Sequence, residues 1–153
     1  DKASIDWLAA LYISELVDGV VETVAALRAN AKQIHIISGG LRQAILPLAE
    51  QLGIPEQHVH AVDVEFGADG GYLDFARHSP LAVSGGKARI CRRLRMQHSS
   101  LVMVGDGKTD LEAKQAGAYM IGFGGVVRRP LVEDQADCYV ADASLTAILP
   151  HVL

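Results

Sequence analysis

The 153 residues predict an α/β fold, a doubly wound parallel sheet, on three observations. Short β-branched or unbroken apolar runs, "QIHIIS" at 33–38 and "LVMV" at 101–104, alternate with amphipathic stretches. That order gives parallel pairing with right-handed crossovers. Glycines follow the apolar runs at Gly39, Gly105 and Gly124, and polar or acidic residues collect beside them. Open α/β sheets bind ligands at the carboxyl ends of their strands, so those residues are the ones to watch.

In chain order, residues 4–15 read as the end of a helix, with Ile5, Leu8, Leu11 and Tyr12 at helical spacing. Residues 18–30 form an amphipathic helix with Asp18 as its cap and Val20, Val24 and Leu27 as its stripe. The strand 33–38 is broken by Gly39 and Gly40. A helix over 41–53 stops at Gly53 and Pro55, with Pro47 in its early turns or kinking it. Two alternating runs flank "ADGG" and make 59–75 a β-hairpin excursion. Glycines open a helix over 85–97, and the unbroken apolar run 101–104 is a strand buried on both faces. A helix over 109–117 closes at Gly117, and 118–125 gives a strand and then glycines. A short helix and a last strand over 131–140 lead to a closing helix, 144–153.

Composition narrows the class. Half of the residues are hydrophobic, as in a folded globular chain. The net charge of −4 argues against nucleic acid as a partner, and the densest basic cluster, "RRLR" at 92–95, reads as the solvated face of a helix. Cys91 and Cys138 lack metal-ligand spacing and suggest neither a disulfide framework nor a zinc site, so a reducing, cytoplasmic compartment is expected. No apolar run nears the roughly 18 residues that span a bilayer, so no membrane partner is expected. The N-terminus "DKASIDWLAA" has no basic stretch followed by an apolar one and so does not read as a signal peptide, and the missing initial Met suggests trimming or a fragment.

The chemistry sits in "GDGKTD" at 105–110. Asp106 alone could be a helix cap, but Asp110 falls one helical turn later on nearly the same face. Carboxylates that close repel unless a cation lies between them. Mg²⁺ prefers carboxylate oxygens and commonly takes one or two per site, with waters and substrate phosphate completing its shell. Glycines at 105 and 107 let backbone approach such a centre. The Ser38 hydroxyl, with backbone amides at 39 and 40, can hold phosphoryl oxygens, although a turn or cap explains a Ser-Gly-Gly as well. Lys87 in "SGGKARI" supplies positive charge, although an isolated lysine at a helix start is usually a surface charge. That stretch is no P-loop, since Ala82 and Ala88 break the pattern, and Val127 spoils the dinucleotide fingerprint begun by "GFGG". Together the pieces make phosphate chemistry, in which charge and positioning stabilise a transferring phosphoryl group.

The stretches "IISGGLR" (36–42), "VSGGKARI" (83–90), "VGDGKTDLEA" (104–113) and "YMIGFGGVVRRPLVEDQADCYVAD" (119–142), in this order and spacing, resemble the haloacid dehalogenase superfamily, and within it the phosphoserine phosphatases. The resemblance runs from about residue 18 to the end. It implies that Ser38, Gly39 and Gly40 hold the phosphoryl group, with Thr109 and Gly107 on the phosphate side. It implies that Lys87 neutralises phosphate and nucleophile, that Asp106 is the metal ligand for Mg²⁺, and that Asp110 supports Lys87 or the metal shell. The hairpin near 59–75 matches the family's flap in position. Residues 1–17 then read as a remnant of the cap or linker helix, and 18–153 as the α/β core.

One part departs from the family. Its nucleophile lies in a "DxDxT/V" motif after an N-terminal strand, and among Asp1, Asp6 and Asp18 none follows a strand or has a second Asp two positions on. The resemblance places that missing strand at the centre of the sheet, between 33–38 and 101–104. The expectation is therefore an Mg²⁺-dependent hydrolase of small phosphate monoesters, phosphoserine first, in serine biosynthesis. Its central strand, nucleophile and most of its cap would come from a missing N-terminal segment or another chain. Whether the chain as written is an enzyme stays open, because that nucleophile is absent from it. The alternative is a non-catalytic phosphate-binding or regulatory domain. A phospho-acceptor receiver domain would place its lysine after a strand, whereas Lys87 opens a helix.

Overall fold

The computed structural model, which describes residues 2–68, 71–76 and 79–153, is an α/β structure of parallel strands and helices. It divides into two units, Asp1–Leu16 with Ile34–Val83 and Val17–Gln33 with Ser84–Leu153. Asp1 and the tip of the expected hairpin, 69–70, lie outside the described residues.

In the first unit, helix α1 (Lys2–Ser14) packs against helix α3 (Arg42–Gln51), which joins strands β1 (Ile36–Leu41) and β2 (Val59–Val62). The two strands run parallel, Ile36 opposite Val59 and Leu41 opposite Val62. Ala44 and Ala49 are buried on α3, small side chains that let it settle onto the sheet. Gly39 and Gly40 do not end β1 as the sequence suggested. The strand continues to Leu41, and the register shifts between Ile37 and Leu41, so the glycines mark an irregularity inside it. Pro47 lies inside α3, which continues to Gln51.

The hairpin is shorter than expected. Strands β3 (Val64–Phe66) and β4 (Tyr72–Phe75) pair antiparallel, whereas 59–62 belongs to the parallel pair. Burial explains the division: Val59, Ala61 and Val62 are all buried, as in a strand covered on both faces, and Asp63 is exposed. Gln43 holds the first residue of β3, its Nε2 donating to the Val64 carbonyl at 2.8 Å and its Oε1 accepting the Val64 N–H at 3.1 Å.

The second unit opens with helix α2 (Val20–Ala29). Asp18 is not its cap. Gly19 occupies that position in the left-handed conformation at φ 76°, and the helix buries Thr23 beside Val24 of the expected stripe. Thr23 is buried because its hydroxyl donates to the Gly19 carbonyl at 2.6 Å. Helix α4 (Gly86–Arg95) buries Ile90, Cys91 and Leu94 and exposes Arg92 and Arg93, the basic face read from the sequence. Strands β5 (Val102–Gly105), β6 (Tyr119–Phe123) and β7 (Cys138–Val140) form a parallel sheet in that order, joined by helices α5 (Lys108–Leu111) and α6 (Pro130–Gln135). The expected helix over 109–117 is α-helical only to Leu111 and continues as a 3₁₀ segment, Glu112–Ala116. Gly117, at φ 79°, closes it as expected. The closing helix is also 3₁₀, Leu145–His151.

The strand buried on both faces is β6, not β5. Met120, Ile121 and Phe123 are buried, whereas in β5 only Met103 is. β6 has strands on both sides, and β5 is an edge strand of this sheet among the described residues. Ile121, Phe123, Val140 and Ile148 form a core cluster on which Val17, Val102 and Val104 pack. Among the described residues no helix is long and apolar enough to cross a membrane.

Candidate active site

The expected site residues fall in both units. In the first, Ser38 lies in β1, and its Oγ accepts the Gly40 N–H at 3.0 Å. This is the turn chemistry that competes with a phosphate role. An acceptor role still leaves the hydroxyl its own proton to donate. Gly40 has no spare room, since a Cβ there would lie 3.2 Å from both Ser38 Oγ and the Tyr12 hydroxyl. Gly39 is exposed and lines a cavity of about 430 Å³, walled mainly by Leu41, Val62, Val64, Phe66 and Leu81.

In the second unit, Lys87, Asp106, Thr109 and Asp110 gather around the loop after β5. Asp110 is buried, and both of its oxygens are engaged. Oδ1 accepts from Lys87 Nζ at 2.6 Å, and Oδ2 accepts the Gly107 N–H at 2.9 Å. The side chains are 20% and 7% exposed, so this pair is largely withdrawn from water. Gly105 makes the arrangement possible: a Cβ there would lie 2.3 Å from Asp110 Cγ and Oδ2. Asp110 thus rests on bare backbone at the strand end, and its charge holds a lysine that would otherwise sit unfavourably near a helix start.

Asp106 has a different partner from Asp110. Its carboxylate is half-exposed and accepts from Arg129 Nε at 3.2 Å. The repulsion anticipated between the two acids is relieved by two cations, one for each. Lys108 and Thr109 are exposed on the first turn of α5. Among the described residues no three His, Cys, Asp or Glu side chains are grouped to hold a metal ion. Among the described residues, the loop after β5 offers a hard cation one accessible carboxylate, Asp106, with Gly105 and Gly107 on either side of it. That fits Mg²⁺, which keeps several waters and often takes one or two carboxylates, as one corner of its shell.

The sequence reading missed Arg129 and Glu112. Arg129 precedes Pro130 in the loop that leaves the carboxyl end of β6. The rule about strand ends, applied to that strand, selects this loop. Glu112 sits two residues beyond Asp110, and its Oε2 accepts the Gly85 N–H at 3.0 Å. Nothing in the spacing distinguishes it from a surface acid.

Two shifted groups frame the unit. Burial pushes the Cys91 thiol above its usual range, and the charge of Asp110 adds to this while Lys87 and Arg92 oppose it. Asp137, before β7, is held below the usual carboxylate range, first by the Met120 N–H at 2.7 Å and then by Lys114 at 2.9 Å.

Residues 2–114 match the family model of haloacid dehalogenase-like hydrolases. The chain is 42% identical over 132 residues to a phosphoserine phosphatase of Drosophila melanogaster, covering 84% of this chain and 49% of that protein. It is 36% identical over 143 residues to the phosphoserine phosphatase of Bos taurus, covering 92% and 64%. It thus spans about half to two thirds of the length of these relatives. A solved phosphoserine phosphohydrolase-like protein from Francisella tularensis shares the fold, with a TM-score of 0.85 at 24% identity over 99% of this chain and 70% of that one. With its strand-end acids, its paired lysine and these likenesses, the chain belongs to the haloacid dehalogenase-like hydrolase family, on its phosphoserine phosphatase-like side.

Proposed function

We propose that the protein carrying this chain is an Mg²⁺-dependent phosphomonoester hydrolase that converts L-phosphoserine to serine and phosphate. The observation that carries the reading is the Lys87–Asp110 pair, a partly buried ammonium fixed by a buried carboxylate near the carboxyl end of β5, where the half-exposed Asp106 also lies. A lysine held in this way offers its positive charge to a phosphoryl group without reorganising at the moment of reaction. Asp110 positions it. Asp106 would hold the Mg²⁺, which when bound supplies further positive charge to phosphoryl oxygens. Arg129 would then give up Asp106 or share it. Ser38, the Gly39 and Gly40 backbone and Thr109 would orient the phosphoryl oxygens. The likeness to phosphoserine phosphatases over most of this chain supports L-phosphoserine as the substrate.

The nucleophilic aspartate of the family mechanism is assigned to a segment outside these 153 residues, in keeping with relatives that are longer. The same segment, as a strand, would pair with β5, an edge strand of its sheet among the described residues. The test compares this chain with a longer one that adds the upstream residues. The longer chain releases phosphate from L-phosphoserine with Mg²⁺ and loses that activity with a chelator, and the 153-residue chain shows negligible turnover. An upstream region without an Asp-x-Asp after an apolar strand contradicts the reading. Tight phosphate binding without turnover in both chains favours a regulatory domain instead.

A further inference from the structure

Lys87 is held by its amine, but the backbone that carries it needs a fixed position too. We infer that Glu112 is a second positioning residue for Lys87, acting on the start of α4 as Asp110 acts on the ammonium. The inference rests on the phosphate-binding role of Lys87 proposed above.

The geometry is a two-point attachment. Gly85, the residue before α4, is left-handed at φ 80°, and its N–H donates to Glu112 Oε2 at 3.0 Å. Its carbonyl accepts the Arg89 N–H at 3.1 Å, a bond of the helix's first turn. Lys87 stands two residues beyond Gly85, and its ammonium meets Asp110 at 2.6 Å. Asp110 and Glu112 are two residues apart at the junction of α5 and the 3₁₀ segment that follows it. One short stretch of chain therefore holds both ends of the lysine, the backbone through Glu112 and the amine through Asp110.

Physical reasons favour this role over a chance contact. A helix start leaves backbone N–H groups without intrahelical partners, and a carboxylate from another element satisfies one of them with a charge-assisted bond. α4 has no side-chain cap of its own at Gly85. Glycine is there for its backbone angle and not for room, since a Cβ would meet nothing within 4 Å. A residue free to take many conformations would let the helix start wander, and the Glu112 bond removes that freedom. Negative charge beside the helix start also opposes the local field that disfavours a lysine there. A misplacement of about 1 Å at a reacting or charge-stabilising group can cost on the order of 100-fold in rate.

The test uses Glu112→Ala and Glu112→Gln in the full-length protein, with Lys87→Ala as the reference. The first readout is independent of activity: the rate at which an amine-acylating reagent labels Lys87, followed by mass spectrometry. In Glu112→Ala, labelling rises several-fold as the pair with Asp110 loosens. In Glu112→Gln, whose amide oxygen still accepts the Gly85 N–H, it stays at the parent rate. The second readout is Mg²⁺-dependent phosphate release from L-phosphoserine, in which kcat falls on the order of 10-fold in Glu112→Ala and is largely restored in Glu112→Gln. Parent-like labelling in Glu112→Ala overturns the inference, and so does a Glu112→Gln variant that behaves like Glu112→Ala. If Lys87→Ala leaves turnover intact, or the parent shows none, the functional reading fails instead, and the labelling still decides the role of Glu112.

Discussion

Gly105 shows how little tolerance the site has at the scale of one residue. A methyl group there meets the Asp110 carboxylate at 2.3 Å, and that carboxylate is buried with both oxygens bonded. Gly105→Ala should cost about 3 kcal/mol in urea denaturation, because Asp110 must leave its donors and strand Lys87. Gly39→Ala, whose Cβ would meet only the Leu81 carbonyl at 3.6 Å, should change stability by less than about 0.5 kcal/mol. Asp137 gives a pH prediction. Its folded pKa lies below the ordinary 3.8, so its contribution is complete above that value and disappears as pH falls through the lower folded one. Asp137→Asn should therefore flatten the loss of stability in acid below about pH 4, and an unchanged acid limb argues against the assignment. Cys91, buried with a raised pKa, should resist alkylation at neutral pH, and the partly buried Cys138 should react faster. At this scale the sequence exposed Lys87, Asp106 and Asp110, because charged groups beside glycines after apolar runs are conspicuous. Glu112 and Arg129 were not legible, since their partners are a backbone N–H and a side chain distant in sequence.

Among the elements, β6 bears most on stability. Ile121 is fully buried and central to the cluster of Phe123, Val140 and Ile148. Ile121→Ala should cost about 3–4 kcal/mol, measurable as a lowered urea midpoint at constant m-value. The alternation of strands and helices was readable because it follows from periodicity. What periodicity could not show was pairing. The run 59–66 looks like one alternating strand, yet its first part is buried in a parallel pair and its second turns into the hairpin held by Gln43. The apolar run 101–104 suggested a central strand, yet burial on both faces depends on neighbours, and here β6 has them. Asp18 looked like a cap until Gly19, with its left-handed backbone, took the position.

For the whole molecule, the family was legible in four ordered motifs spread over both units, and the comparisons agree with it. The chemistry was less legible, because residues 1–153 contain the groups proposed to hold a phosphate but no Asp-x-Asp after a strand. The most direct measurement of the central claim is Mg²⁺-dependent phosphate release from L-phosphoserine by the full-length protein, parent against Lys87→Ala, with folding of both confirmed by circular dichroism. The account predicts a fall of about 100-fold or more in kcat, the scale of losing one preorganised charge at a developing transition state. Turnover in the variant within a few-fold of the parent would contradict it.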